Sequence, residues 1–175
     1  MRKPGKDKLV KNFTVVVDTR EQQPLLFENM IYKPLPAGDY TAGYPVEGRL
    51  LTFEKVIAIE RKQVPELFTI CGKERERFER ELEKLSHLQY KYVVVEGNVG
   101  DLAKEIYSYV TPKVVLCSIC SWMIKYNIPF IFAGRSAKSV VYKLLEFFIK
   151  YNVLGFKRIP ELEETVKKLA KWEAI

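Results

Sequence analysis

Val56-Ile57-Ala58-Ile59-Glu60-Arg61-Lys62 is an apolar run that ends abruptly in three charges. Short runs of this kind, rich in β-branched residues, suit a strand buried on both faces. A strand sends alternate side chains to opposite faces, so Glu60 and Lys62 point one way and Arg61 the other. A carboxylate beside an ammonium at the mouth of a buried strand has two readings. One is an ion pair that closes the strand. The other is phosphodiester chemistry, in which the carboxylate holds a divalent cation and the lysine meets developing charge.

The flanking sequence repeats the arrangement. Phe13-Thr14-Val15-Val16-Val17 is a second buried-strand run, and it delivers Asp18-Thr19-Arg20-Glu21 at its end. Gly38-Asp39-Tyr40 follows a proline-marked loop at Pro34 and Pro36 and opens a strand over about 39–44. That strand is expected to form a hairpin with a strand over about 50–61, with turn signals at 45–48. Tyr92-Val93-Val94-Val95-Glu96 and Pro129-Phe130-Ile131-Phe132 read as further strands.

Helices are expected between them. Pro65 and Glu66 suit a first helical turn, which Gly72 interrupts. Over 73–88 an apolar stripe at Phe78, Leu82, Leu85 and Leu88 is surrounded by charge, with Arg77 and Glu81 spaced as an i, i+4 pair on a solvated face. A short helix is expected within 100–110. Thr111-Pro112 caps a helix to about 126, with Val115, Ile119, Trp122, Met123 and Tyr126 inward. Ser136 caps another to about 151, with Val140, Leu144, Phe148 and Tyr151 as its stripe. Pro160 opens a last helix with acids first and lysines last, matching the helix dipole. Strands alternating with helices imply an α/β domain: a mixed sheet with helices on its faces.

Bulk properties narrow the function. The 175 residues fit one domain, with 47% hydrophobic and 13% aromatic content, enough for a real core. Lysine and arginine outnumber acids by 29 to 22, and a net charge of +7 favours a polyanionic partner. No stretch approaches the roughly 18 apolar residues of a membrane span. The basic segment before Phe13 has no apolar stretch, so no secretory signal is expected; it reads as a flexible basic arm, 1–12, able to lie on phosphates. Three cysteines and one histidine argue against a disulfide framework or a histidine-rich metal site and fit a reducing intracellular compartment. Cys117 and Cys120 have C-x-x-C spacing without a second pair and are read as core residues.

Glycine patterns for nucleotide phosphates and the nucleophile-elbow motif are absent. What remains is acids at strand ends: Asp18, Asp39 and Glu60, with Lys62 two residues on. A hard cation such as Mg²⁺ takes several oxygen ligands, two or three of them carboxylates, with water completing the octahedron. A lysine nearby would activate the attacking water or meet the non-bridging oxygens of the phosphate.

Taken in order, Asp18-Thr19-Arg20-Glu21, Gly38-Asp39, Glu60-Arg61-Lys62 with Glu66, and Glu76-Arg77-Phe78 resemble the XPF-type nuclease domain, whose signature is G-D, a gap, then E-R-K-x-x-x-D after a D-x-R-E segment. The resemblance covers about 13–151 and leaves 152–175 as a linker and C-terminal helix. It implies a restriction-endonuclease-like mixed β-sheet flanked by helices. It also implies Mg²⁺-dependent cleavage, with Mn²⁺ able to substitute, of branched DNA: flaps, forks or junctions met in repair, recombination and replication. By this resemblance Asp39 and Glu60 are metal ligands, Lys62 is the catalytic lysine, and Asp18 is a further carboxylate at the metal or just outside it. Arg20, Glu21, Arg61 and Arg77 support the acids or touch phosphate, and Arg61 pairs with Glu21 or another acid in the plainer reading.

Two departures bear on this. Glu66 stands where the family has aspartate, which is harmless if the acid caps the helix and disruptive if it must reach the metal. The tandem helix-hairpin-helix module of many relatives has no counterpart in 152–175, so DNA selection is expected to rest on the nuclease domain, the basic arm or another subunit. Relatives often dimerise through this domain, and a homodimer or heterodimer through the helices at 112–126 and 137–151 is one expectation, core packing the other. The competing functions are a non-catalytic DNA-binding or scaffolding subunit and a resolvase or exonuclease of the same superfamily. Intact Asp18, Asp39, Glu60 and Lys62 favour the enzyme.

Overall fold

The computed structural model describes residues 12–104 and 109–155. Its centre is a seven-stranded mixed sheet. In chain order the strands are β1 (Thr14–Asp18), β2 (Met30–Lys33), β3 (Tyr40–Val46), β4 (Arg49–Thr52), β5 (Ile57–Gln63), β6 (Tyr90–Glu96) and β7 (Phe130–Phe132). The helices are α1 (Val64–Cys71), α2 (Arg75–Ser86), α3 (Pro112–Tyr126) and α4 (Ala137–Phe148). The spatial order is β2-β1-β3-β5-β6-β7, with β4 attached to β3 off that path. β5, β6 and β7 run parallel to one another, and β3 runs antiparallel to β1 and β5.

Alternation along β5 sorts the whole domain into two layers. Ala58 joins a cluster containing α1, α2 and α3, built on Leu67, Phe78, Leu82 and Trp122. Ile57 and Ile59 join the opposite cluster, with α4 side chains Val141, Leu145 and Phe148. Glu60 and Lys62, two and four residues after Ala58, therefore lie on the α1–α2 face, and Arg61 lies on the other.

The acids form one row. Val17, Tyr40, Ile59 and Tyr92 are direct neighbours across four strands. One residue further on stand Asp18, Asp39 and Glu60, on strands spaced about 4.8 Å apart. Backbone bonds lock this row: the Asp18 N–H donates to the Asp39 carbonyl at 2.8 Å, and the Asp39 N–H donates to Ile59 at 2.9 Å.

Several boundaries differ from the sequence reading. The expected strand over 50–61 is two strands, because a turn at 53–56 lets β4 pair with the outer half of β3 and β5 enter the sheet centre. The hairpin turn itself is narrower than 45–48: Pro45 lies within β3, and Glu47 and Gly48 take positive φ values of 49° and 78°, as a two-residue hairpin loop requires. β2 has no counterpart among the expected strands; it is a short, partly exposed edge strand whose parallel pairing with β1 leaves no alternation to see. In 100–110 only a 3-10 turn, Val99–Lys104, lies within the described residues.

The face assignments of α3 and α4 also shift. Met123 and Tyr151 were placed inward, yet they are 37% and 65% exposed. On α4 the fully buried line is Val141, Leu145 and Phe148, with Val140 and Leu144 flanking it, because the sheet meets the helix one residue later than the stripe suggests. Ser136 occupies the position before α4 but its side chain makes no capping bond there, whereas Thr111 caps α3 as expected. Cys117 and Cys120 are exposed on α3, contrary to the core reading; only Cys71 is buried. The basic arm, but for Asn12, and the helix expected after Pro160 lie outside the described residues.

Candidate active site

The row of acids opens into a pocket of about 420 Å³. The ends of β1 and β5, the Gly38–Asp39 loop and the α2 face carrying Arg77, Glu81 and Lys84 line it. Asp39, Glu60 and Lys62 converge there.

Gly38 makes the approach of Asp39 feasible. Its φ is +71°, and a Cβ at this point would lie 3.0 Å from the Ala58 Cβ and 3.1 Å from the Ile59 carbonyl oxygen. Only glycine fits that turn without strain. Asp39 then turns inward, and its Oδ2 accepts the Arg61 N–H at 2.7 Å. Burial, then the neighbouring Glu60 charge, push the Asp39 carboxyl well above the usual carboxylate range.

Glu60 is 5% exposed and accepts a hydrogen bond from the Lys62 ammonium through Oε1. Burial raises its pKa in spite of that ammonium. For Lys62, burial disfavours the charge, but the Glu60 and Asp39 carboxylates outweigh it and hold the pKa above the ordinary lysine value. Lys62 is therefore a cation in this site, lying 5.5 Å from the Phe78 ring centre. It can stabilise negative charge; it cannot serve as a base in this state.

Asp18 is placed differently. Its Oδ1 accepts the Arg20 N–H at 2.7 Å and the Arg20 Nε–H at 2.9 Å, while Oδ2 accepts Arg20 Nη2 at 2.6 Å and the Leu35 N–H at 3.0 Å. Burial alone would raise its pKa, and these donors outweigh it and hold the carboxyl low. Both oxygens are occupied, so in this arrangement Asp18 supports the site rather than offering a ligand. Arg20 also donates to the Leu35 carbonyl at 2.7 Å, pinning the loop that carries Gly38.

The remaining sequence candidates divide clearly. Arg61 is 9% exposed and donates to Glu96 through Nε at 2.9 Å and through Nη2, and to the Gln23 carbonyl at 2.9 Å. Glu21 stands 3.9 Å from it. This is the supporting ion pair expected of its opposite strand face. Glu66 accepts the Gln63 N–H at 2.6 Å and caps α1, so the longer acid does a helix-terminus job. Arg77 lies at the pocket rim, 65% exposed and 3.4 Å from both Glu74 and Glu81. Glu81 and Lys84 were not singled out from sequence as pocket residues. The signal was present: they follow Arg77 at spacings of four and three on a helix whose buried stripe fixes the adjoining face.

Among the described residues no group of three or more acidic, histidine or cysteine side chains is arranged to hold a metal ion. Asp39 and Glu60 nevertheless suit a hard cation. Each has one oxygen with no hydrogen bond among the described residues. Mg²⁺ characteristically uses one or two protein carboxylates and draws its other ligands from water and substrate phosphate. The donor set fits that pattern.

A family model, the ERCC4 domain, matches residues 17–144. XPF from Aeropyrum pernix superposes with a TM-score of 0.59 at 18% identity, over 83% of this chain and 68% of that one. The structure of XPF from Aeropyrum pernix in complex with DNA gives 0.57 at 18% identity, over 78% and 64% respectively. These likenesses show a shared fold. No curated protein matches the sequence.

Proposed function

The chain belongs to the ERCC4 domain family, and from that premise we propose that it is a metal-dependent, structure-selective DNA endonuclease. Its substrate is branched DNA, its cofactor Mg²⁺ (or Mn²⁺), and its setting intracellular DNA repair, recombination or replication. The observation that carries this reading is the convergence of Asp39, Glu60 and Lys62 in one pocket.

Asp39 and Glu60 would hold the cation, which when bound supplies Lewis-acid activation of the phosphate and of the attacking water. Lys62, charged and fixed by Glu60, stabilises the negative charge that grows on the phosphate oxygens. Asp18 and Arg20 hold the Gly38–Asp39 loop against β1 through Leu35. Arg61 ties β5 to Glu96 and the Gln23 loop. Pairing of two copies, or with a second subunit, through α3 is compatible with the exposed Ile124 and Val114 on that helix.

A labelled flap substrate with Mg²⁺ tests the reading. Wild-type protein cuts it near the duplex–single-strand junction, and Asp39→Ala and Lys62→Ala do not. If the wild type cuts no better than these variants but still binds the flap, the chain is a non-catalytic DNA-binding subunit. Parallel fork, four-way junction and plain duplex substrates separate a flap nuclease from a resolvase or exonuclease.

A further inference from the structure

The pocket poses an electrostatic problem for a polyanionic substrate. Six acidic side chains line it against four basic ones, a net of −2 in a chain of net +7. Three of the four cations already face carboxylates: Arg20 faces Asp18, Lys62 faces Glu60, and Arg77 lies between Glu74 and Glu81. Lys84 is the exception. Among the described residues it makes no ion pair or hydrogen bond, and its side chain is exposed at the pocket wall.

Its mounting is rigid. Phe78, Leu82 and Leu85 bury the inner face of α2 to 1% exposure or less. On the far side of the helix, Glu79 bonds Trp122, Tyr126 and Lys125 of α3. The face carrying Arg77, Glu81 and Lys84 therefore cannot roll. Arg77 and Lys84 are seven residues apart, or about 10.5 Å along the helix. That span is of the order of the separation between nearby phosphates on one DNA strand, so both cations can address the same backbone.

We propose that Lys84 is a substrate-positioning residue, the cation that receives a backbone phosphate of the DNA strand as it enters the pocket, on the same strand as the phosphate that Arg77 meets. The inference rests on the DNA-nuclease reading and deepens it. An unpaired lysine pays no cost of breaking an internal ion pair when phosphate arrives, which distinguishes it from the other three cations.

The test is the salt dependence of binding of a fluorescent fork by the full chain in EDTA, where no cleavage occurs. Losing one phosphate contact lowers the slope of log affinity against log salt by about 0.9. Lys84→Gln then shows a slope smaller by about one, so that between about 50 and about 200 mM salt it loses about 3.5-fold less affinity than wild type. Lys84→Arg keeps the wild-type slope, and Lys143→Gln, on α4 away from the pocket, serves as the control. A Lys84→Gln slope equal to wild type, or no lower than that of Lys143→Gln, overturns the proposal, as does absence of fork binding by the wild type. If the wild type cuts a flap while the Lys84→Gln slope is unchanged, this inference alone fails. If the slope falls but no Mg²⁺-dependent cutting is seen, the nuclease reading fails and the phosphate contact stands.

Discussion

The Asp39 carboxylate sits on the backbone N–H of Arg61, 2.7 Å away, across the join between the Gly38–Asp39 loop and β5. One side chain thus ties the loop to the strand that carries Glu60 and Lys62, and it does so through backbone. The bond needs only an acceptor at Asp39, whereas the proposed cation needs its charge. Asp39→Asn should therefore keep the fold, with a melting temperature within a few degrees of wild type, while cleavage falls by about 10²-fold or more. Asp39→Ala loses both the acceptor and the charge. Circular dichroism melts and flap cleavage, measured side by side, separate the two effects.

Gly38→Ala is expected to lose about 1–3 kcal/mol of stability, since the residue must keep φ +71° with its new methyl against Ala58 and Ile59. Urea unfolding measures it. A neutral result would mean that the loop relaxes freely and that Asp39 is not fixed by the turn.

Arg61→Lys is not conservative here. The guanidinium serves Glu96 and the Gln23 carbonyl from one plane, and an ammonium cannot reach both. Leaving the buried half of this network unpaired should cost about 1–3 kcal/mol, with cleavage reduced less than by Lys62→Ala. Chemical denaturation and single-turnover rates give the comparison.

Acid stability should report on Glu79. Bonds from Trp122 first, then Lys125 and Tyr126, hold its carboxyl at about 2. A pKa depressed in the folded state adds stability that is complete above the unfolded-state value and is lost as pH falls toward the folded one. The contribution of the α2–α3 contact is therefore whole at neutral pH and fades from about pH 5 down to about 2. Glu79→Gln removes this slope. Its unfolding free energy should be lower than wild type at pH 7 by about 1–2 kcal/mol and should approach it below pH 3.

Much of the site was legible in the chain because it rests on local rules. Period-two alternation put Glu60 and Lys62 on one face and Arg61 on the other, and the structure has that arrangement. The apolar stripe of Phe78, Leu82, Leu85 and Leu88 fixed α2, and Thr111-Pro112 fixed the start of α3. Strand ends closing in acids identified Asp18, Asp39 and Glu60 before any pairing was known.

Partner choice lay beyond those rules. Asp18 presents the same charge in the sequence as Asp39, yet Arg20 and the Leu35 N–H, seventeen residues away, occupy it fully. Glu66 suits metal or helix by its position in the sequence, and in the structure its Oε2 accepts the Gln63 N–H at the start of α1. Cys117 and Cys120 face outward because α3 turns Val115, Ile119 and Trp122 to the sheet. Lys84 became a pocket residue only when α2 was laid beside β5. Sequence thus determined which groups this protein carries toward its chemistry and on which face of each element they stand, since backbone periodicity is local. The tertiary structure alone decided which of those groups are spent on one another and which remain open, since that depends on contacts between residues far apart in the chain.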